Sequence, residues 1–256
     1  HKIMEGEFLA YVKEKKKQGI IHHIGMSTHN PKVAKLAALS GVVEIILFSI
    51  NPAFDLLPAS EDLNTYFADS YAEDLNGIDP ERAELYQVCE QRGIGITVMK
   101  GYAGGRLFSP QTSPFGVALT PVQCIHYALT RPGVASILAG YDSTEHVTQA
   151  VAYETATSKE KDYASVLAHA PHHAYTGQCT YCGHCAPCPA GIDVAMVNKL
   201  YDLATMQEEV PSTIKAHYES LSAGAKDCIA CGGCEVRCPF DVPVVERMKR
   251  ATVLFQ

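Results

Sequence analysis

The first 157 residues alternate between short continuous apolar runs and stretches with helical spacing of apolar side chains. Residues 4–18 place Met4, Phe8 and Val12 on one helical face and end in a lysine-rich turn before Gly19. The run 20–26 (IIHHIGM) reads as a strand. Asn30 is the expected N-cap of the next helix, with Pro31 at its first position and Gly41 after its end. Residues 43–49 (VVEIILF) are apolar enough for a strand buried on both faces, as in a parallel sheet. A polar connection over roughly 52–78 follows, and Asp79 and Pro80 then open a helix that stops at Gly93. Residues 94–99 form a third expected strand. Thr120 and Pro121 start a helix to about Arg131, residues 134–139 a fourth strand, and Ser143 caps a last helix to about Glu154. Four strand–helix units in succession predict a parallel sheet, either half of a (β/α)8 barrel or a small doubly wound sheet. A half-barrel alone would leave two apolar edges and an unpartnered inner face, so a first half or another chain is expected to cover them.

The pattern changes after residue 157. Residues 158–178 read as a polar, histidine-bearing linker (His169, His172, His173). Residues 179–256 carry an internal repeat in which a cysteine motif leads through Cys-Pro into a helix: CPAGIDVAMVNKL at 188–200 and CPFDVPVVERMKR at 238–250. The stretch between them, 193–222, has helical periodicity interrupted near Pro211. A helical module is therefore expected here.

Eight of the ten cysteines lie in this module, as Cys179-x2-Cys182-x2-Cys185-x2-Cys188-Pro189 and Cys228-x2-Cys231-x2-Cys234-x3-Cys238-Pro239. Three cysteines at two-residue gaps can wrap a cubane cluster, and the fourth thiolate must come from elsewhere. In two-cluster ferredoxins it is the cysteine before proline of the other motif. Transferred to this chain, one [4Fe–4S] cluster takes Cys179, Cys182, Cys185 and Cys238, and the other Cys228, Cys231, Cys234 and Cys188. Gly183, Gly232 and Gly233 would let the loops turn tightly and aim N–H groups at sulfide. Zinc also takes paired Cys-x2-Cys, but its pairs normally stand apart in hairpins and do not run as consecutive triplets ending in Cys-Pro. Simple ferredoxins have a three-residue gap before the fourth cysteine, where the first motif has two. His184, between cluster cysteines, is expected to pack or hydrogen-bond there without replacing a thiolate. Cys89 and Cys124 stand apart as helix-face core residues.

A net charge of −7 on 256 residues argues against a nucleic-acid surface or binding to anionic lipid, and no apolar run is long enough for a membrane span. Clustered cysteines suit metal ligation in a reducing, cytoplasmic compartment. His22 and His23 sit together in the expected first strand, where neighbours face opposite sides, which fits packing and surface roles better than a shared metal. His29, after Ser27 at a strand end, is a candidate substrate contact.

With these elements in place, the chain resembles the aldo/keto reductase family, specifically members fused to a C-terminal ferredoxin-like domain. IGMSTHNP at 24–31 is similar to the family's fifth strand, FSINPAFD at 48–55 to the sixth, and ITVMKGYAGGRL at 96–107 to the seventh. TPVQCIHYALTRPGVASILAGYDSTEHV at 120–147 is similar to the region around the eighth strand, and CTYCGHCAPCPAGIDV at 179–194 to the ferredoxin portion. The resemblance implies strands five to eight of a (β/α)8 barrel over 1–157, a linker over 158–178 and a two-cluster domain over 179–256. It also implies a catalytic Asp, Tyr, Lys and His on strands one to four, so no catalytic residue is carried over to this sequence, which starts at His1 and is expected to lack that half. For NADP(H) it implies contacts from Ser27, Gly140 and Ser143, with Lys100 and Arg106 near phosphates at the Gly104-Gly105 turn. Leu47 or Phe48 replaces the family's strand-six Gln, Met99 its stacking Tyr, and His146, Gln149 and Ala150 its Arg, Glu and Asn.

The expectation is an iron–sulfur oxidoreductase passing electrons through two clusters, with a small-molecule substrate and a redox partner of unread identity, and with NADP(H) as candidate nucleotide. The competing expectation is an electron-transfer or scaffold protein whose barrel half no longer binds nucleotide.

Overall fold

A computed structural model describes residues 6–57, 77–170, 175–205 and 209–256. Helix α1 (Glu7–Lys17) has Glu7 in the first turn and Lys15, Lys16 and Lys17 in the last, matched to the helix dipole; Met4 lies outside the described residues. Strand β1 (Gly25–Thr28) is followed by α2 (Pro31–Leu39), whose N-cap Asn30 accepts from the Lys32 and Val33 amides. Strand β2 (Ile45–Ser49) leads to α3 (Pro80–Gln91), capped by Asp79. Most of the connection between them lies outside the described residues. Strand β3 (Gly95–Met99) precedes α4 (Pro121–Leu129), which opens on a capping box: the Thr120 side chain accepts from the Gln123 amide and the Gln123 side chain from the Thr120 amide. Strand β4 (Val134–Ile137) precedes α5 (Thr144–Val151), capped by Ser143. All four caps stand where local chemistry places them.

The first strand starts later than its apolar run suggests. Gly19 takes a left-handed φ of 72°, and the amides of Ile20 and Ile21 both turn back onto the Lys15 carbonyl, so Ile20 and Ile21 close α1. His22 and His23 therefore precede the strand, and His23 Nδ1 sits 3.2 Å from the Glu44 carboxylate.

The sheet is parallel throughout, in the order β1-β2-β3-β4. A doubly wound sheet reverses its strand order at a switch point; strict sequence order with right-handed crossovers winds one way and puts every helix on one face. This is the arrangement of a (β/α)8 barrel segment, and it decides between the two expected architectures. Ile46, Phe48, Ile96 and Val98 face the helices and are fully buried. On the opposite face Ile45 is 42% exposed, and Thr97 Oγ1 meets Ser136 Oγ at 3.0 Å in the open.

The described residues of the expected linker, 158–170 and 175–178, do not behave as a solvated linker. Helix α6 (Tyr163–Ala168) lies within them, and Tyr163, Leu167 and Tyr175 are fully buried. His169 is exposed, while His172 and His173 fall outside the described residues. The C-terminal module is helical as expected: α7 (Val194–Thr205), α8 (Ser212–Glu219), α9 (Gly233–Val236) and α10 (Val244–Leu254). Its internal repeat is structural, since Ile192 and Val194 before and in α7 are buried like Val242 and Val244 before and in α10. Tyr86, Tyr127, Tyr163 and Tyr175 share one apolar core with Val197, Phe240 and Met248, which joins the module to the helical side of the sheet. The Gln87 amide donates to the Leu203 carbonyl across that junction at 3.1 Å.

Candidate metal centre

Each cysteine motif folds into a loop with left-handed positions at matching places. Tyr181 and Gly183 in the first correspond to Ala230 and Gly232 in the second, and Gly191 and Asp241, three residues past each Cys-Pro cysteine, repeat the pattern. The left-handed φ values of 84° at Gly183 and 73° at Gly232 are ones that only glycine adopts without strain. Gly233, expected as a further turn residue, is instead the first residue of α9.

The eight cysteines gather in two cavities. Cys179, Cys182, Cys185 and Cys238 line one, with His184, Phe240 and Val242. Cys188, Cys228, Cys231 and Cys234 line the other, with Ile229, Arg237 and Met248. Each cavity thus takes three cysteines from one motif and the pre-proline cysteine of the other. The motifs are also tied directly: Arg237 Nη2 donates to the carbonyls of Cys185 (2.6 Å) and Pro187 (2.9 Å). Among the described residues no three His, Cys, Asp or Glu side chains converge tightly enough for a single metal ion. A zinc site needs its sulfurs about 2.3 Å from one point, whereas a cubane spreads its four thiolates over four irons. The donor set at each cavity, four thiols drawn from both motifs, fits the cluster.

The first cavity is the inner one. Burial pushes the Cys179 and Cys185 thiols up to about 12. Burial acts on Cys182 in the same direction, but the hydrogen bonds and charge of His184, with a hydrogen bond from Thr180, together hold that thiol below its ordinary value. His184 is raised to about 9, chiefly by its hydrogen bond to Cys182, against desolvation and with help from Asp162. The loop between Cys179 and Cys182 is anchored on the barrel half: the Tyr163 hydroxyl donates to the Thr180 carbonyl at 2.7 Å, and the buried Arg131 guanidinium donates to the same oxygen. The second cavity lies at the surface, where Cys231 is exposed and Val236 is 89% exposed. Cys89 and Cys124 are buried in α3 and α4, both pushed up to about 12 by burial, as inert core thiols are.

At the carboxyl ends of β3 and β4 lies a cavity of about 510 Å³, lined among others by Lys100, Gly104, Gly105, Gly140, Tyr141 and His146. Lys100 and Gly140, expected nucleotide contacts, meet here. Ser27 does not: it lines an apolar groove between α1, β1 and α2. Ser143 is not among the lining residues, and its hydroxyl accepts from the His146 amide at 3.2 Å. Arg106 Nε faces the Thr112 carbonyl at 3.4 Å. His29 stands just past the end of β1, partly buried, its imidazole lowered by desolvation and then by the charges of Lys100 and Arg82. Asn51, which no sequence signal singled out, braces the strand ends by donating to the Lys100 carbonyl at 2.8 Å and accepting from the Ala53 and Phe54 amides.

Residues 178–243 match the family model of the 4Fe-4S dicluster domain. The chain is also similar to a solved aldo-keto reductase from Bacillus halodurans in its holo form, at 18% identity and a TM-score of 0.44. That likeness covers 60% of this chain and 53% of the enzyme, so the chain spans about half the enzyme's length. No curated protein matches the sequence. Among the described residues no helix is long and apolar enough to cross a membrane.

Proposed function

We propose that the chain is part of an iron–sulfur oxidoreductase of aldo/keto reductase type, with one [4Fe–4S] cluster held by Cys179, Cys182, Cys185 and Cys238 and another by Cys188, Cys228, Cys231 and Cys234. The observation that carries this reading is the crossed membership of the two four-cysteine cavities. When bound, each cluster supplies a site for one electron. Further strands, from the same polypeptide or a partner, would complete the barrel and bring its acid–base groups. Iron and acid-labile sulfide in anaerobically purified protein are expected at about eight each per chain. Zinc without sulfide would sink the proposal.

On this reading the strand-end cavity takes the small-molecule substrate or NADP(H), with Lys100 and the Gly104-Gly105 backbone facing phosphate. One observation favours the non-enzymatic alternative: Asp142 lines the same cavity and pairs with His146 at 2.7 Å, putting a carboxylate where a phosphate would sit. Anaerobic titration with NADPH, followed by nucleotide fluorescence, separates the two. Saturable binding that weakens in Lys100→Ala supports the oxidoreductase, and no binding by a protein with full clusters supports the electron carrier.

A further inference from the structure

The inner cavity has a histidine wired into it. His184 Nδ1 lies 3.4 Å from Cys182 Sγ, and Nε2 lies 3.0 Å from the Asp162 carboxylate and 3.3 Å from Ser165 Oγ. Asp162 is fixed in turn: it caps α6 by accepting from the Ser165 amide at 2.8 Å, and its own carbonyl accepts from Gln123 Nε2 at 2.9 Å. The ring is thus aimed at sulfur from a helix that packs on the barrel half. The second motif has no counterpart, because the residue two places after Cys231 is Gly233.

The asymmetry matters for electron transfer. A reduced cluster carries one more negative charge than an oxidised one, and burial disfavours charge. The inner cavity, packed against Tyr163 and the barrel half, would therefore hold its cluster at a lower potential than the surface cavity, and electrons arriving at the surface would not pass inward. Hydrogen bonds to cluster sulfurs act the other way and favour the reduced form. We propose that His184, oriented by Asp162, is a positioning residue for the inner cluster, donating an N–H to the Cys182 sulfur and so raising that cluster's reduction potential against its burial. Asp162 and Ser165 take no electron; their part is to hold the ring. The proposal rests on the two-cluster reading above.

The test is an anaerobic dithionite titration of the whole chain, read by electron paramagnetic resonance, with iron counted first. The wild type is expected to show two one-electron steps. His184→Ala should move one step by at least tenfold in the oxidised-to-reduced ratio, which is 59 mV for one electron, toward lower potential, and leave the other in place. His184→Gln, which keeps an N–H donor, should restore part of the shift. Asp162→Asn, which preserves the helix cap, should give a smaller shift in the same step. Two unmoved steps in His184→Ala with full iron would overturn the assignment. So would loss of about half the iron in all three variants, since His184 would then be structural. A wild type without iron and sulfide would instead refute the cluster reading itself.

Discussion

His126 illustrates how one side chain reports its surroundings. Its ring lies in α4 against Tyr153 and Tyr163, with Nδ1 3.2 Å from the Tyr153 hydroxyl. Desolvation, followed by the charges of Lys161 and Arg131, lowers it to about 4. The unfolded chain takes up the proton near pH 6.5 and the folded chain near 4, so the unfolded state binds more protons between these values. Stability is complete above pH 6.5 and falls as pH drops toward 4, by less than about 1.4 kcal/mol per unit because the ring is partly exposed. Thermal midpoints at pH 7.5 and 5.5 should show that slope, and His126→Phe should flatten it; an unchanged slope would count against it. Its neighbour Arg131 acts across the junction. The guanidinium lies over the rings of Tyr127 (4.4 Å) and Tyr181 (5.4 Å) and donates to the Thr180 carbonyl and the Tyr163 hydroxyl. Arg131→Met removes both of these charge-assisted bonds in a buried place and leaves the Thr180 carbonyl with the Tyr163 hydroxyl alone, at a cost of about 3 kcal/mol. The expected readout is a midpoint roughly 6–12 °C lower and selective loss of iron from the inner cluster.

At the level of elements, the helix starts carry stability that can be removed locally. Thr120→Ala breaks the capping box of α4 and should cost about 1 kcal/mol, while Thr120→Ser should be near neutral. Gly133 is a harder constraint, with φ of 73° and an added Cβ only 3.2 Å from Cys89 Cβ and 3.3 Å from the Glu90 amide. Gly133→Ala should lower stability by about 1–3 kcal/mol, and a melt matching the parent would show that α3 can shift away. These starts were legible in the sequence because a cap is set by three or four consecutive residues. The triplet of cysteines in each motif is readable for a similar reason, since close spacing sets what one loop can wrap, whereas the crossed fourth cysteine is an expectation transferred from two-cluster ferredoxins. What stayed hidden was non-local. The Ile20–His23 run reads as strand by composition, but Ile20 and Ile21 are claimed by the C-terminus of α1 and His22 and His23 stand before the strand. Ser27 and Ser143 match a family pattern, yet one faces a different groove and the other caps a helix. The partner of His184 lies 22 residues away in a segment whose polar letters resemble a linker, and only packing brings Asp162 to the ring.

Among the described residues, one side of the sheet is well covered and the other is open. A parallel sheet is normally buried on both faces. Here Ile45 and Leu47 point away from the helices, and the free edge of β1 borders an apolar groove whose walls include Phe8 (68% exposed) and Leu36 (62% exposed). Beyond the other edge, past β4, Leu138 and Val151 are each more than 60% exposed. Two separated apolar edges on one molecule favour head-to-tail contacts, which do not close into a dimer and grow with concentration. The 256-residue chain on its own is therefore expected to show a sedimentation coefficient that rises steeply over micromolar concentrations, with its iron content unchanged because the cluster module lies on the helical side. Leu36→Lys, which places a charge at one edge only, should cap growth and leave small species. Adding strands that complete the barrel should abolish association altogether. A chain that stays monomeric at tens of micromolar would mean that the open face is tolerated by water, and that the sheet needs no partner to bury it.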